Sequence, residues 1–146
     1  MQKHSFAVLI AAFSALILVG CAKEATEVSF AEVCDPKYDH QRLSTVGYFD
    51  ARVSEYCSDS GGDYRCGMDF LESPDSENRF TADVLEGNGR NQLPKLPDDY
   101  TAADIKVKTA DGGEIGVGQK ARITGDMLIG EGVCLMTVRT IEAVTD

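Results

Sequence analysis

The 146-residue chain has no tryptophan, four prolines and two histidines, and its 24 acidic residues outnumber its 14 lysines and arginines. The scarcity of histidine removes most hydrolytic chemistry, because a Ser-His-Asp relay needs an imidazole between nucleophile and acid. His4 precedes an apolar run, and His40 stands beside Asp39 in a polar stretch. The shortage of cations disfavours nucleic acid. A formal charge of -10 repels phosphates unless basic residues are gathered into a stripe, and Arg42, Arg52, Arg65, Arg79 and Arg90 instead alternate with acids. Carboxylates are plentiful, yet Asp98 and Asp99 simply lie side by side in a loop, and nothing marks one acid as the partner of another for glycosidase-like chemistry. No catalytic activity, cofactor or metal is expected. No amphipathic stretch of ordinary helix length appears.

Long hydrophobic runs are also lacking. The longest, "FAVLIAAFSALILV" from Phe6 to Val19, falls short of the roughly 18 residues that cross a bilayer as a helix and suits the core of an export signal. It is followed by Gly20 and Cys21, and "LVGC" resembles the lipobox of bacterial lipoproteins. The resemblance implies a signal peptide over residues 1–20, acylation of Cys21 and a lipidated tether over 21–40. Each buried acyl methylene adds about 0.8 kcal/mol of membrane affinity. Ala22, in place of an aspartate, points to the outer membrane, with the domain facing the periplasm. An ordinary secretory leader with an incidental cysteine is the alternative.

Four further cysteines remain: Cys34, Cys57, Cys66 and Cys134. An even number in an exported chain reads as two disulfides, with three possible connectivities. Cys57 and Cys66 flank a short turn-rich loop, whereas Cys34 and Cys134 stand near the two ends of the mature chain, so these two pairings are expected. The loop "YCSDSGGDYRC" does not suit a metal. Zinc sites bring cysteines two to four residues apart with further Cys or His, and "DSGGD" lacks the calcium-loop pattern.

Alternation marks the strands. "LSTVGYFDARVSEY" from Leu43 to Tyr56 is rich in β-branched and aromatic residues and carries Gly47, where a bulge or bend is expected. In "YRCGMDFLE", Tyr64, Cys66, Met68 and Phe70 recur every second residue. With the first strand and the bridged loop they form a long hairpin. "RFTADVLEG" is a further strand, and "IKVKTADGGEIGVG" reads as a second hairpin around a D-G turn. "QKARITGDML" and "GVCLMTVRTIEAV" complete the set. Between them "GNGRNQLPKLPDDY", Gly87 to Tyr100, has no strand pattern. It is long for an unstructured connection and is therefore a second candidate binding surface, and a single helical turn is expected near Tyr100 to Asp104.

This order of elements, with "GQKARITG" from Gly118 to Gly125 and "CLMTVRTIE" from Cys134 to Glu142, resembles the OB-fold of small exported bacterial proteins and lipoproteins, including those grouped as tRNA-anticodon-binding-like. The resemblance covers roughly Gln41 to Val144. It implies an all-β domain over 41–146, a small five- to six-stranded antiparallel barrel with a short helical insertion. It also implies ligand binding on the face of its second and third strands and at the loop between its first two. Here that loop is "SDSGGD" with Tyr56 and Tyr64 at its base. Tyr56, Asp59, Asp63, Tyr64, Arg65, Arg90 and Asn91 are the candidate ligand contacts, unless the loop is only a stapled turn whose acids keep it soluble. The second strand shows one cation, Arg65, and no aromatic on its outward side, which again disfavours nucleic acid. A non-catalytic binding or assembly module for a glycan or an envelope protein is expected. An inhibitor that captures a cationic enzyme with its acidic tip is the rival, and nucleic-acid binding by analogy is a third reading.

Overall fold

The structure, a computed structural model, describes residues 23–145, with only the backbone described at 52–56 and at position 60. The leader, its junction and Cys21 lie outside the described residues.

The barrel is organised by one long strand. β1 (Thr26–Glu27) is a short edge piece, and β2 (Arg42–Ser60) runs past two partners in succession. Arg42 to Tyr48 pairs antiparallel with β8 (Lys120–Gly130), and from Tyr48 onward the strand pairs with β3 (Asp63–Leu71). The changeover falls at Gly47. A Cβ there would lie 2.4 Å from the Leu71 carbonyl oxygen and 2.6 Å from Phe70 Cε1, so only glycine lets the two partners approach. Register shifts after Phe49 and Val53 then interrupt the simple alternation expected through Val53.

β4 (Arg79–Glu86) pairs with β3, β9 (Val133–Ala143) pairs with β4, and β8 closes the ring between β9 and β2. The expected barrel is thus present, with one departure: β4 and β9 run parallel. The cause is the long excursion after β4. The chain re-enters on the far side of the barrel as β8, and the return strand must then run alongside β4 in the same direction. The cyclic order β2-β3-β4-β9-β8 makes this an OB-like barrel.

The excursion holds β5 (Gln92–Leu93), parallel to the end of β4, and a separate hairpin of β6 (Lys106–Lys108) and β7 (Glu114–Gly116). The expected helical turn is a 3-10 turn at Ala102–Asp104, closed by a capping box between Thr101 and Asp104. Val107 pairs with Ile115, and both are buried with Ile105, so the hairpin fills the barrel rather than decorating it.

Inward positions of the ring supply the core: Met68 and Phe70 from β3, Ala82 and Val84 from β4, Ile123 from β8, and Met136 and Ile141 from β9. Each large side chain removed from water contributes roughly 1.5–3 kcal/mol. Both expected disulfides are present, Cys34 to Cys134 and Cys57 to Cys66, the second between directly opposed residues of β2 and β3. The stretch expected to tether the domain up to residue 40 is folded onto the barrel. Val28 and Val33 are buried, two 3-10 turns span Phe30–Glu32 and Pro36–Tyr38, and the Phe30 ring packs 5.4 Å from that of Phe80.

Two ends of the barrel follow from the register. At the start of β4, Thr81 faces Leu135 near the β8–β9 turn, while at its end Arg65 faces Leu85 near the β2–β3 turn. The two hairpin tips therefore point away from each other along β4.

Candidate functional site

The β2–β3 tip is shaped by glycine and by one carboxylate. Gly61 and Gly62 have positive φ, and Asp59 accepts a hydrogen bond from the Gly62 N–H at 2.8 Å. Asp59 thus caps the turn it was expected to arm. Tyr64 keeps the inward parity of Cys66, Met68 and Phe70 but stands one step beyond the barrel rim. The residue is 47% exposed.

Facing Tyr64 is the segment that follows β5. Pro94 and Pro97 cannot donate to a strand ladder, so the chain leaves the sheet here. It is held at one end by the Gly87 N–H donating to the Leu93 carbonyl at 2.9 Å, and Leu96 and Tyr100 pack against the core. Between this segment and the stapled hairpin lies a cleft of about 680 Å³, lined by Tyr64, Tyr100, the Cys57–Cys66 disulfide, Glu86, Lys95 and Asp98. The two surfaces singled out separately in the sequence, the bridged loop and the stretch ending at Tyr100, are brought together here. Within that stretch nothing in the sequence marks Tyr100 individually, and Glu86 lies outside both surfaces. Tyr100 opens the expected helical turn, and nothing local distinguishes Glu86 from the other acids.

The remaining candidates lie elsewhere. Asp63, Arg65, Arg90 and Asn91 line a neighbouring groove of about 440 Å³, beside Asp83 and Arg139. Two of them hold the barrel together. Arg65 donates from Nε to Asp83 Oδ2 at 2.7 Å and from Nη2 to the Asp83 and Val138 carbonyls at 2.8 and 3.0 Å. Asn91, in the left-handed region at φ 59°, accepts the Ile141 N–H at 2.8 Å. Arg90 lies near Asp111, whose carboxyl is held below the usual range chiefly by the Thr109 hydroxyl and the Gly113 N–H, with a smaller contribution from Arg90. The side chain of Tyr56 lies outside those described.

The sheet face beside this groove is charged but internally paired. Arg65 bridges to Asp83, Arg79 to Asp69 at 3.5 Å, and Arg139 to Asp126. His40 is exposed, 3.3 Å from Asp39, whose other carboxylate oxygen accepts the Ile129 N–H. Cys57 and Cys66 sulfurs and a Glu86 oxygen lie within 4.8 Å of one another, but both sulfurs are bonded in the disulfide and offer no thiolate to a metal. What the cleft offers is two aromatic faces, carboxylates that accept and one ammonium that donates.

The fold and site define a small OB-like barrel with a stapled hairpin and an aromatic cleft at one end. No protein-family model matches the chain, and no curated protein matches its sequence. Among solved structures, the chain is similar to one assigned as an aspartyl-tRNA synthetase from Leishmania major Friedlin, at 11% identity and a TM-score of 0.47. The match covers 89% of this chain and 23% of the other, so this chain spans under a quarter of that protein's length.

Proposed function

We propose that the protein is a non-catalytic binding module, lipid-anchored through Cys21 on the periplasmic side of the outer membrane, whose ligand is a glycan held in the cleft between Tyr64 and Tyr100. The observation that carries the reading is the composition of that cleft: two tyrosines beside Glu86, Asp98 and Lys95. Aromatic rings stack against the C–H faces of a sugar, and carboxylate and ammonium groups exchange hydrogen bonds with its hydroxyls. The anchor rests on the "LVGC" junction.

The acidic-tip inhibitor gains less support, because Asp59 already serves the Gly62 N–H. Nucleic acid is disfavoured by the pairing of Arg65, Arg79 and Arg139 with carboxylates on the strand face that would meet it. An envelope protein partner is the other outcome to separate from a glycan.

The test is a capture from crosslinked envelope extract on the oxidised chain carrying Cys21→Ser, washed at low and high salt. Peptidoglycan or polysaccharide fragments retained at both salt concentrations support the reading. A single protein eluting with salt contradicts it and favours the acidic tip.

A further inference from the structure

Among the described residues, the large hydrophobic side chains that stand exposed are Tyr64, in the cleft, and Leu128 and Val133. The last two sit at the opposite end of the barrel, on the β8–β9 hairpin. Leu128 pairs with Leu135 and Gly130 with Val133, so Leu128, Val133 and Leu135 share the outer face of this tip, while Ile129 and Cys134 turn toward the Cys34 disulfide. Leu128 is 48% exposed and Val133 44%.

The chain outside the described residues joins the barrel at this same end. Lys23 Nζ donates to the His40 carbonyl at 3.1 Å, and Arg42 Nη1 donates to the Lys23 carbonyl at 3.3 Å. The His40 N–H in turn donates to the carbonyl of Met127, the neighbour of Leu128. Lys23, the first described residue and two positions after Cys21 in the sequence, is thus seated beside this tip. Beside the apolar side chains the charges are mixed: Arg42 and Arg139 both pair with Asp126, and the Asp39 carboxylate accepts the Ile129 N–H.

We infer that the β8–β9 tip is a membrane-contact surface, with Leu128 and Val133 seated among the lipid headgroups. This rests on the anchor at Cys21 proposed above. Glu131 at the turn opposes deep insertion, so the contact is interfacial and shallow. The consequence is orientation. With the β8–β9 tip on the bilayer, the Tyr64 cleft faces away from it, separated by the length of β4, roughly 20 Å at the usual strand rise.

The absence of tryptophan allows a direct test. The chain, expressed from its full-length precursor so that the leader is removed and Cys21 acylated, is reconstituted into phosphatidylethanolamine–phosphatidylglycerol vesicles as three single-tryptophan variants, Leu128→Trp, Val133→Trp and Ser58→Trp. Brominated lipids should lower the emission of the first two by about twofold or more and leave Ser58→Trp, at the far tip, unchanged. The second reporter guards against one variant folding poorly. If the chain floats with the vesicles and neither tip reporter is quenched, the anchor stands and the contact surface is overturned. If the chain does not float, the anchor fails and the inference fails with it.

Discussion

The guanidinium of Arg65 on β3 reaches over β4 to the main-chain carbonyl of Val138 on β9, 3.0 Å away. The β4–β9 ladder is short, ending at the Asp83–Thr137 pair, and Arg65 adds a bond just beyond that point. It is 14% exposed and leaves Asp83 without its partner if removed. Arg65→Met is therefore expected to destabilise the oxidised protein by about 2 kcal/mol in urea unfolding, in line with charged hydrogen bonds at half-buried sites. Because its contacts are structural, affinity at the cleft should stay the same. A stable variant with lost affinity would return Arg65 to the ligand site.

Gly47 is the second sensitive position. A methyl group there meets the Leu71 carbonyl and the Phe70 ring, both fixed by the core. Gly47→Ala should cost about 3 kcal/mol, at the upper end for overpacking. A loss under half of that would show that β2 can bend elsewhere.

The two disulfides should differ in worth. Cys34–Cys134 closes a separation of 100 residues and Cys57–Cys66 one of 9. Loop entropy gives about 4.7 kcal/mol for the first and about 2.5 for the second. Double alanine replacement of Cys34 and Cys134 should lower the melting temperature more than that of Cys57 and Cys66. The reverse order would place the stabilisation in native packing around the hairpin.

Acid should weaken the fold at a named site. The carboxyl of Asp126 is held below its usual value first by the hydrogen bond from Arg42, then by Arg139. A carboxyl depressed in the folded state contributes stability above its unfolded value, near pH 4, and loses that contribution as pH falls through the folded value. Asp126→Asn should cost about 1 kcal/mol at neutral pH, and the difference should close as pH falls through the depressed folded value. A difference independent of pH would mean that the site acts through packing instead.

Much of the barrel was legible because alternation is local. Tyr64 to Phe70 displays its inward row in the sequence, and the D-G turn marks the β6–β7 hairpin. Cysteine spacing also sufficed, since a turn-flanking pair and a terminal pair leave one economical connectivity. The parallel junction of β4 and β9 was not legible, because Thr81 and Leu135 meet only through a chain path of more than fifty residues. The amino-terminal segment was misjudged for a different reason: its polar composition conceals Val28, Phe30 and Val33, whose spacing places them against the barrel.

The site divides in the same way. Tyr64 was identifiable from its position at the base of a bridged loop, and the stretch up to Tyr100 from its length and prolines. That they share a cleft depends on tertiary packing. The structural partners of Arg65 and Asn91, the Val138 carbonyl and the Ile141 N–H, lie 73 and 50 residues away in the sequence. No local pattern reveals such a partner.

The most direct measurement is a titration of the tyrosine-labelled protein with soluble disaccharide and tetrasaccharide fragments of peptidoglycan, followed by NMR at low and high salt. Saturable shifts of the Tyr64 and Tyr100 ring resonances are predicted, little changed by salt, and weakened about fivefold or more by Tyr64→Ala, in keeping with the worth of one aromatic contact. Saturable binding that leaves both rings unmoved, or no binding of either fragment, would contradict the account.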